Sequence, residues 1–191
     1  MLFRSNSFLN DVMDSKLGIP ISLSALYIEV GQRSGLSMDG VSFPGHFLVK
    51  AFDETDEVLV DPFQGGSLLS IEDCQRRLDR VYGGKLPLEA SMLAAVGSRQ
   101  MLTRMLHNLK AIYVRAEDHA RLLGVLELLL ILDPGSAEDL RDRGLAYAAL
   151  DCYGAAVRDL EQYLGLARNA PDADTLVTKI AEMKRRAARL H

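Results

Sequence analysis

The 191-residue chain is 48% hydrophobic and 25% charged, proportions that are typical of a globular protein and exclude a disordered or fibrous one. Its net charge of −4 at pH 7 gives the chain no overall attraction to nucleic acid, and the basic cluster Lys184–Arg186 is interpreted as the solvated face of a helix. The most apolar stretch, Leu122–Leu132, is too short to span a bilayer. The first residues lack the pattern of a signal peptide. We therefore expect a cytoplasmic protein that binds neither nucleic acid nor membrane.

In chain order, the first clear element is a helix that begins near Pro20 and ends at Gly35. Proline fits the first turn of a helix, and glycine is common just after the last turn. Apolar residues fall on two stripes of this helix, Ile21, Ala25 and Ile28 on one and Leu23, Leu26 and Val30 on the other. Two apolar stripes predict a central helix that is buried on both sides.

Two short strands follow the helix. One begins after Pro44–Gly45, and the other, Val58–Asp61, is ended by Pro62. The charged segment Asp53–Glu57 forms the turn between them, which predicts an antiparallel pair. A short helix at residues 71–78 completes a region of α+β class.

A cluster of helix breakers, Tyr82–Pro87, divides the chain into regions 1–87 and 88–191. The second region reads as helix throughout and repeats with the 34-residue period of tetratricopeptide units, a plain helical bundle being the alternative. The paired positions are Leu106 and Leu140, Tyr113 and Tyr147, Leu122 and Ala156, Leu126 and Leu160, and Leu129 and Tyr163. A last helix, residues 174–190, is predicted to cap the stack.

Four stretches of the first region, residues 6–10, 18–23, 43–47 and 61–66, together with Arg141–Tyr147 in the second, resemble the bacterial SirB-one family. The resemblance covers nearly the whole chain. It implies a small papain- or transglutaminase-like core, in which a helix packs on an antiparallel sheet, followed by an all-α tetratricopeptide region. It does not imply an established reaction. Members usually carry further helical sequence before the first motif, so we expect a fragment or a short member.

The transglutaminase-like core is built around a Cys–His–Asp triad. In the resembled pattern the cysteine opens the buried helix, the histidine begins the next strand and the aspartate ends the strand after it. The resemblance assigns His46 and Asp61 to the last two positions, and a hairpin with residue 46 opposite residue 61 would bring their side chains into contact. Pro20 stands at the position of the cysteine. Cys74 and Cys152 do not match that position and are expected to be ordinary buried thiols.

Two functions follow as hypotheses. The first is a non-catalytic interaction module whose repeats bind a protein or peptide and whose His46–Asp61 pair survives as a remnant. The second is a cytosolic amidase, peptidase or acyl-transferase in which Ser22 or Ser24 is the nucleophile and His46 the base. Ser22 points away from the face of Pro20, and Ser24 lies about one turn deeper in the helix.

Further binding candidates come from the recognised motifs. Asn10, Pro20, Ser22, Phe43 and Gln64 are candidates to line a groove beside His46. Hydrogen bonding within loops is the simpler interpretation of the two amides, and burial in the core is the simpler one for Phe43. A turn brace is the corresponding alternative for Asp61. The remaining histidines have no companions at metal-ligand spacing, so neither a metal nor a cofactor is predicted.

Overall fold

The computed structural model describes residues 4–167 and 169–188, and these form two compact units. Described residues up to Met105 belong to the first unit and those from Leu106 onward to the second. The division lies inside a helix, Ser98–Arg115, and not near residue 87, where the breaker cluster stands. It lies later because Met101 and Met105, at the start of that helix, pack against the apolar cluster that contains Phe47.

The first unit mixes helices and strands in the α+β class predicted from the sequence, which is confirmed. Its elements in chain order are α1 (Leu9–Ser15), α2 (Pro20–Arg33), β1 (Ser37–Val41), β2 (Leu48–Phe52), β3 (Glu57–Asp61), β4 (Ser67–Leu69), α3 (Ile71–Tyr82), β5 (Ala95–Val96) and the start of α4 (Ser98–Arg115).

The five strands of the described residues form one antiparallel sheet in the order β4-β3-β2-β1-β5. The sequence predicted only the central pair, β2 and β3. Strand β1 contains Asp39 and Gly40, which weaken a strand pattern, and β4 and β5 are three and two residues long. Short strands of this kind form because neighbouring strands supply hydrogen-bond partners, not because of their own propensity.

Helix α2 packs against this sheet. Pro20 is its first residue, as predicted, and Ile21, Ser22, Ser24 and Ile28 are buried. Gly31 leaves room for the Met38 side chain, whose Sδ would lie 2.4 Å from a Cβ at that position. The prediction that both apolar stripes are buried is wrong for this unit, because Val30 is 64% exposed and Leu23 and Leu26 are only partly buried. The second stripe instead lines an open groove of about 480 Å³ together with Tyr27, Leu36 and Pro62.

The second unit is helical throughout its described part. Its elements are the end of α4, α5 (His119–Leu132), α6 (Ala137–Ala149), α7 (Tyr153–Leu166) and α8 (Ala173–Ala187). The predicted last helix agrees with α8 over the described residues, and its end at 189–190 lies outside them. No helix of the described ranges, 4–167 and 169–188, has the length and hydropathy needed to cross a membrane.

The 34-residue pattern corresponds to the packed positions of these helices. Its later members Leu140, Ala156, Leu160 and Tyr163 lie in one apolar cluster, which α8 joins through Leu176, Ile180 and Met183. Gly144 lets α6 and α7 approach, since a Cβ there would lie 2.7 Å from Leu160 Cγ and 3.3 Å from the carbonyl oxygen of Ala156. Small residues at such crossings are what a tetratricopeptide unit requires.

Candidate functional site

His46 is presented by a tight turn just before β2. The His46 amide donates to the Phe43 carbonyl over 3.0 Å, and Gly45 has a φ of +69°, a conformation that glycine adopts without steric cost. Phe43 and Phe47, on either side of the turn, are almost completely buried. These two rings fix the turn in the core and leave 12% of the His46 side chain exposed to solvent.

Asp61 is the last residue of β3 and is fully buried. Its Oδ1 accepts the backbone N–H groups of Phe63 over 3.0 Å and Gln64 over 3.3 Å, which closes the short 3-10 turn Pro62–Gln64. Asp61 therefore braces a turn, which agrees with the simpler interpretation of the sequence. The carboxylate can accept further hydrogen bonds on the side of His46.

The structure brings these two side chains together. His46 Nε2 lies 3.0 Å from both Oδ1 and Oδ2 of Asp61. The predicted register is wrong, however: Val49 pairs with Val60, so continuing the ladder places Leu48, and not His46, opposite Asp61. The contact forms because side chains at diagonal positions of neighbouring strands remain within reach of each other. The Phe63 ring stands edge-on to His46, with the ring centroids 5.8 Å apart.

A third side chain, which the sequence did not single out, binds the same carboxylate. Arg77 lies on α3, and its Nη2 donates to Asp61 Oδ2 over 2.6 Å. Arg77 is one residue from Leu78 and three from Cys74, the two buried residues of α3, so its side chain starts at the edge of the buried face. The pair is buried, with 17% of the Arg77 side chain exposed and none of Asp61.

This arrangement shifts the pKa values of His46 and Asp61, the pair that we call the dyad. Burial raises the pKa of Asp61, but the hydrogen bonds and charges of His46 and Arg77 outweigh it, so the net pKa is lowered. Burial also lowers the pKa of His46, and the charges of Arg77 and Arg104 lower it further. Together they outweigh the hydrogen bond and charge of Asp61, so the net pKa of His46 is lowered from its ordinary value. The dyad therefore favours an ionised aspartate and a neutral imidazole.

Arg104, on α4, holds the turn that carries His46. Its guanidinium donates to the His46 carbonyl over 2.8 Å and to Ser42 Oγ over 2.5 Å, and its Cζ lies 5.4 Å from the centre of the Phe47 ring. Sequence reasoning missed this residue, which lies 58 positions from His46. No periodicity in the chain links the two positions, so only the fold could identify the contact.

The other predicted site residues do not converge on His46. The Asn10 side chain is exposed and donates to the neighbouring Asp11. Gln64 is exposed, and its contact with Asp61 is made by its backbone N–H. Phe43 is fully buried in the core cluster of the sheet and α3, so it does not form an exposed lip.

The serines of α2 are already engaged. The Ser22 hydroxyl lies 2.7 Å from the Asn6 carbonyl, and it accepts the N–H of Ile19 over 3.0 Å, which caps the helix. The Ser24 hydroxyl donates to the Phe47 carbonyl over 3.5 Å. Both side chains are fully buried. Neither hydroxyl is placed as a free nucleophile beside His46.

The two cysteines are also poor nucleophile candidates. Cys74 is fully buried among apolar residues of the sheet and α3, and burial raises the pKa of its thiol. Cys152 is exposed, so the prediction that both thiols are buried is wrong for this one, and it lies in the second unit at the start of α7. Among residues 4–167 and 169–188, no three His, Cys, Asp or Glu side chains are grouped as a metal site.

Comparison with protein families agrees with this division. The family model of the transglutaminase-like superfamily matches residues 3–107, and a tetratricopeptide-repeat model matches residues 109–181. Both predicted architectures are therefore confirmed.

Several bacterial proteins are similar over almost the whole chain. A UPF0162 protein of Xylella fastidiosa is 36% identical over 189 residues, which cover 97% of this chain and 67% of the relative. A UPF0162 protein of Vibrio cholerae is 29% identical over 176 residues, covering 92% of this chain and 65% of the relative. The chain thus spans about two thirds of the length of these relatives. F-box only protein 21 of Pongo abelii is 25% identical over 170 residues, which are 83% of this chain and 26% of that protein.

Proposed function

We propose, from the premise that this chain belongs to the transglutaminase-like superfamily and to the UPF0162 proteins within it, that it is a non-catalytic protein-interaction module. Its core keeps the histidine and aspartate of a triad without the nucleophile, and its repeats bind a protein or peptide. One observation carries the proposal: Pro20, a residue without a nucleophilic side chain, opens the helix at the position where the resembled pattern has cysteine.

Three further observations support the loss of catalysis. The Ser22 and Ser24 hydroxyls are buried and hydrogen-bonded to backbone groups. The Cys74 thiol points into an apolar cluster, where the thiolate needed for attack is disfavoured. Asp61 is shared with Arg77, so the carboxylate is less able to stabilise the imidazolium on which triad chemistry depends.

The helical unit is the proposed interaction surface. Stacked helix pairs of this kind bind partners along extended surfaces, because each repeat presents variable side chains on a constant frame. The described helices carry several exposed apolar side chains, among them Ile131 at 72% and Leu128 at 50% exposure. We further propose that the protein acts in the bacterial cytoplasm. Its motifs resemble those of the SirB-one family, which supports a regulatory role.

The test is a search for turnover. Purified protein is incubated with peptide, amide and acyl-ester substrates, beside His46→Ala and the control His107→Ala, which changes an exposed histidine outside the site. We expect the three proteins to show no turnover above buffer. Amidase, peptidase or acyl-transfer activity that His46→Ala abolishes and His107→Ala retains would refute the proposal.

A further inference from the structure

The Asp61 carboxylate has no acceptor capacity to spare. Oδ1 receives the N–H groups of Phe63 and Gln64, Oδ2 receives Arg77, and His46 Nε2 lies 3.0 Å from both oxygens. A carboxylate with four donors in a buried place remains ionised and acts only as an acceptor. The proton in the His46–Asp61 contact is therefore on Nε2 of the imidazole.

That assignment determines the chemistry of the other ring nitrogen. Nδ1 of His46 has no hydrogen-bond partner among the described residues, and it is not one of the buried unpaired atoms found in the same part of the chain. It is therefore the polar atom that the 12% exposure of the side chain offers to solvent. With the proton on Nε2, a neutral imidazole presents a bare lone pair at Nδ1.

The groups around the ring oppose a second proton. Three charged side chains face His46: Asp61 from β3, Arg77 from α3 and Arg104 from α4. Arg77 and Arg104 are permanent cations, whereas the negative charge of Asp61 is shared with Arg77. Burial adds to the effect of the cations. An imidazolium at this position would meet two positive charges and one negative charge that is already paired.

We propose that His46 Nδ1 is a hydrogen-bond acceptor for a neutral N–H donor of a bound ligand, and that Arg77 is the positioning residue that keeps this acceptor unprotonated. The ligand class is a backbone-type secondary amide next to an apolar group. The half-exposed Phe63 ring, edge-on to His46, supplies the apolar surface beside the acceptor. The inference rests on the proposed function, since it describes what the remnant dyad binds.

An anionic ligand would require the opposite protonation state of His46 Nδ1. A carboxylate can bind at Nδ1 only after that nitrogen is protonated, so its affinity would rise as the pH falls. A neutral amide donor needs the unprotonated nitrogen, so its affinity is lost as the pH falls through the His46 pKa. Because burial and the two arginines lower the His46 pKa from its ordinary value, we expect amide binding to persist at neutral pH.

The first experiment uses three small probes of nearly the same shape. N-methylbenzamide has the N–H donor, N,N-dimethylbenzamide lacks it, and benzoate is an anion. The ¹⁵N resonance of His46 Nδ1, assigned by its absence in His46→Gln, is followed at equal probe concentrations. We expect a shift with N-methylbenzamide only. An equal shift with the dimethyl compound, a shift with benzoate alone or no shift with any probe would overturn the proposal.

The second experiment tests Arg77. In Arg77→Met we expect a higher His46 pKa than in the wild type, and amide binding that is lost at a correspondingly higher pH. Arg77→Lys keeps the cation, so His46 should retain a lowered pKa in this variant. It serves as the second test if Arg77→Met does not fold. Arg76→Met, which removes an exposed cation on the same helix, should have no effect. A His46 that is charged at neutral pH in the wild type, or equal pKa values in all variants, would refute the role of Arg77. Neither result bears on turnover, so the proposed function is judged separately.

Discussion

Pro20 is well suited to the helix position that it occupies. As the first residue of α2 it needs no hydrogen-bond partner for its nitrogen, and its fixed φ matches the helix. The same residue contributes no thiol at the position where a helix N-terminus would lower a thiol pKa. Proline therefore favours the local helix and has no side chain that could act as a nucleophile.

Restoring a cysteine tests whether this position still belongs to a site. In Pro20→Cys, we expect the introduced thiol to be alkylated by iodoacetamide at neutral pH faster than Cys152, the exposed native thiol. A helix N-terminus favours the thiolate, and the resembled pattern places the histidine beside this position, where it can take up the thiol proton. The rate is measured by mass spectrometry of the labelled peptides. It should fall in the double variant with His46→Ala, and a rate no greater than that of Cys152 would contradict the assignment of position 20.

At the scale of elements, α4 and α6 show how helices are joined. Lys110 on α4 is almost fully buried and lies within 3.1 Å of carboxylate oxygens from Glu138, Asp139 and Asp142 on α6. Burial lowers the pKa of Lys110, but these carboxylates outweigh it, so the net pKa is raised. Between α6 and α7 the contact combines an ion pair, Arg143 with Asp159, and an apolar crossing that depends on the missing side chain of Gly144.

The crossing of α6 and α7 makes a direct prediction. Gly144→Ala should lower the free energy of unfolding by about 1–3 kcal/mol, because the new Cβ collides with Leu160 and the Ala156 backbone. Gly165→Ala is the matched control. It also replaces a helical glycine, but the new Cβ meets no heavy atom within 4 Å. Because Gly165 lies in the last turn of α7, the substitution should leave the stability unchanged or raise it by less than about 1 kcal/mol. Urea unfolding followed by circular dichroism measures both. Equal effects of the two substitutions would contradict this packing.

At the scale of the whole molecule, each of the two units combines apolar clusters with ion pairs. Described residues up to Met105 are held by apolar clusters of the sheet with α2 and α3 and by the buried ion pair of Arg77 with Asp61. Described residues from Leu106 onward are held by the apolar cluster of the repeats and by ion pairs between helices. Buried ion pairs of this sort are costly to break, because the partner left behind stays charged and desolvated.

A substitution of Lys110 tests how much the buried ion pairs contribute to the stability of the second unit. Lys110→Met should lower the free energy of unfolding by about 3 kcal/mol, since it leaves Asp139 without its buried cation. The control Lys184→Met removes an exposed lysine paired with Glu161 and should change the free energy by less than about 1 kcal/mol. Chemical unfolding at neutral pH measures the difference. If both variants were as stable as the wild type, the buried cluster would contribute little to the cohesion of the unit.

The sequence by itself determined the class of the fold, the 34-residue repeat, the start of α2 at Pro20 and the pairing of His46 with Asp61. Those features rest on periodicity, on turn residues and on family motifs, all of which are local or repeated along the chain. Only the tertiary structure decided the two-residue difference in register, the three additional strands and the exposure of Val30. Only the tertiary structure, too, placed Arg77 on Asp61 and Arg104 on the His46 turn. Their contacts join residues far apart in the chain, and the packing that creates them is a property of the assembled elements and not of any one segment.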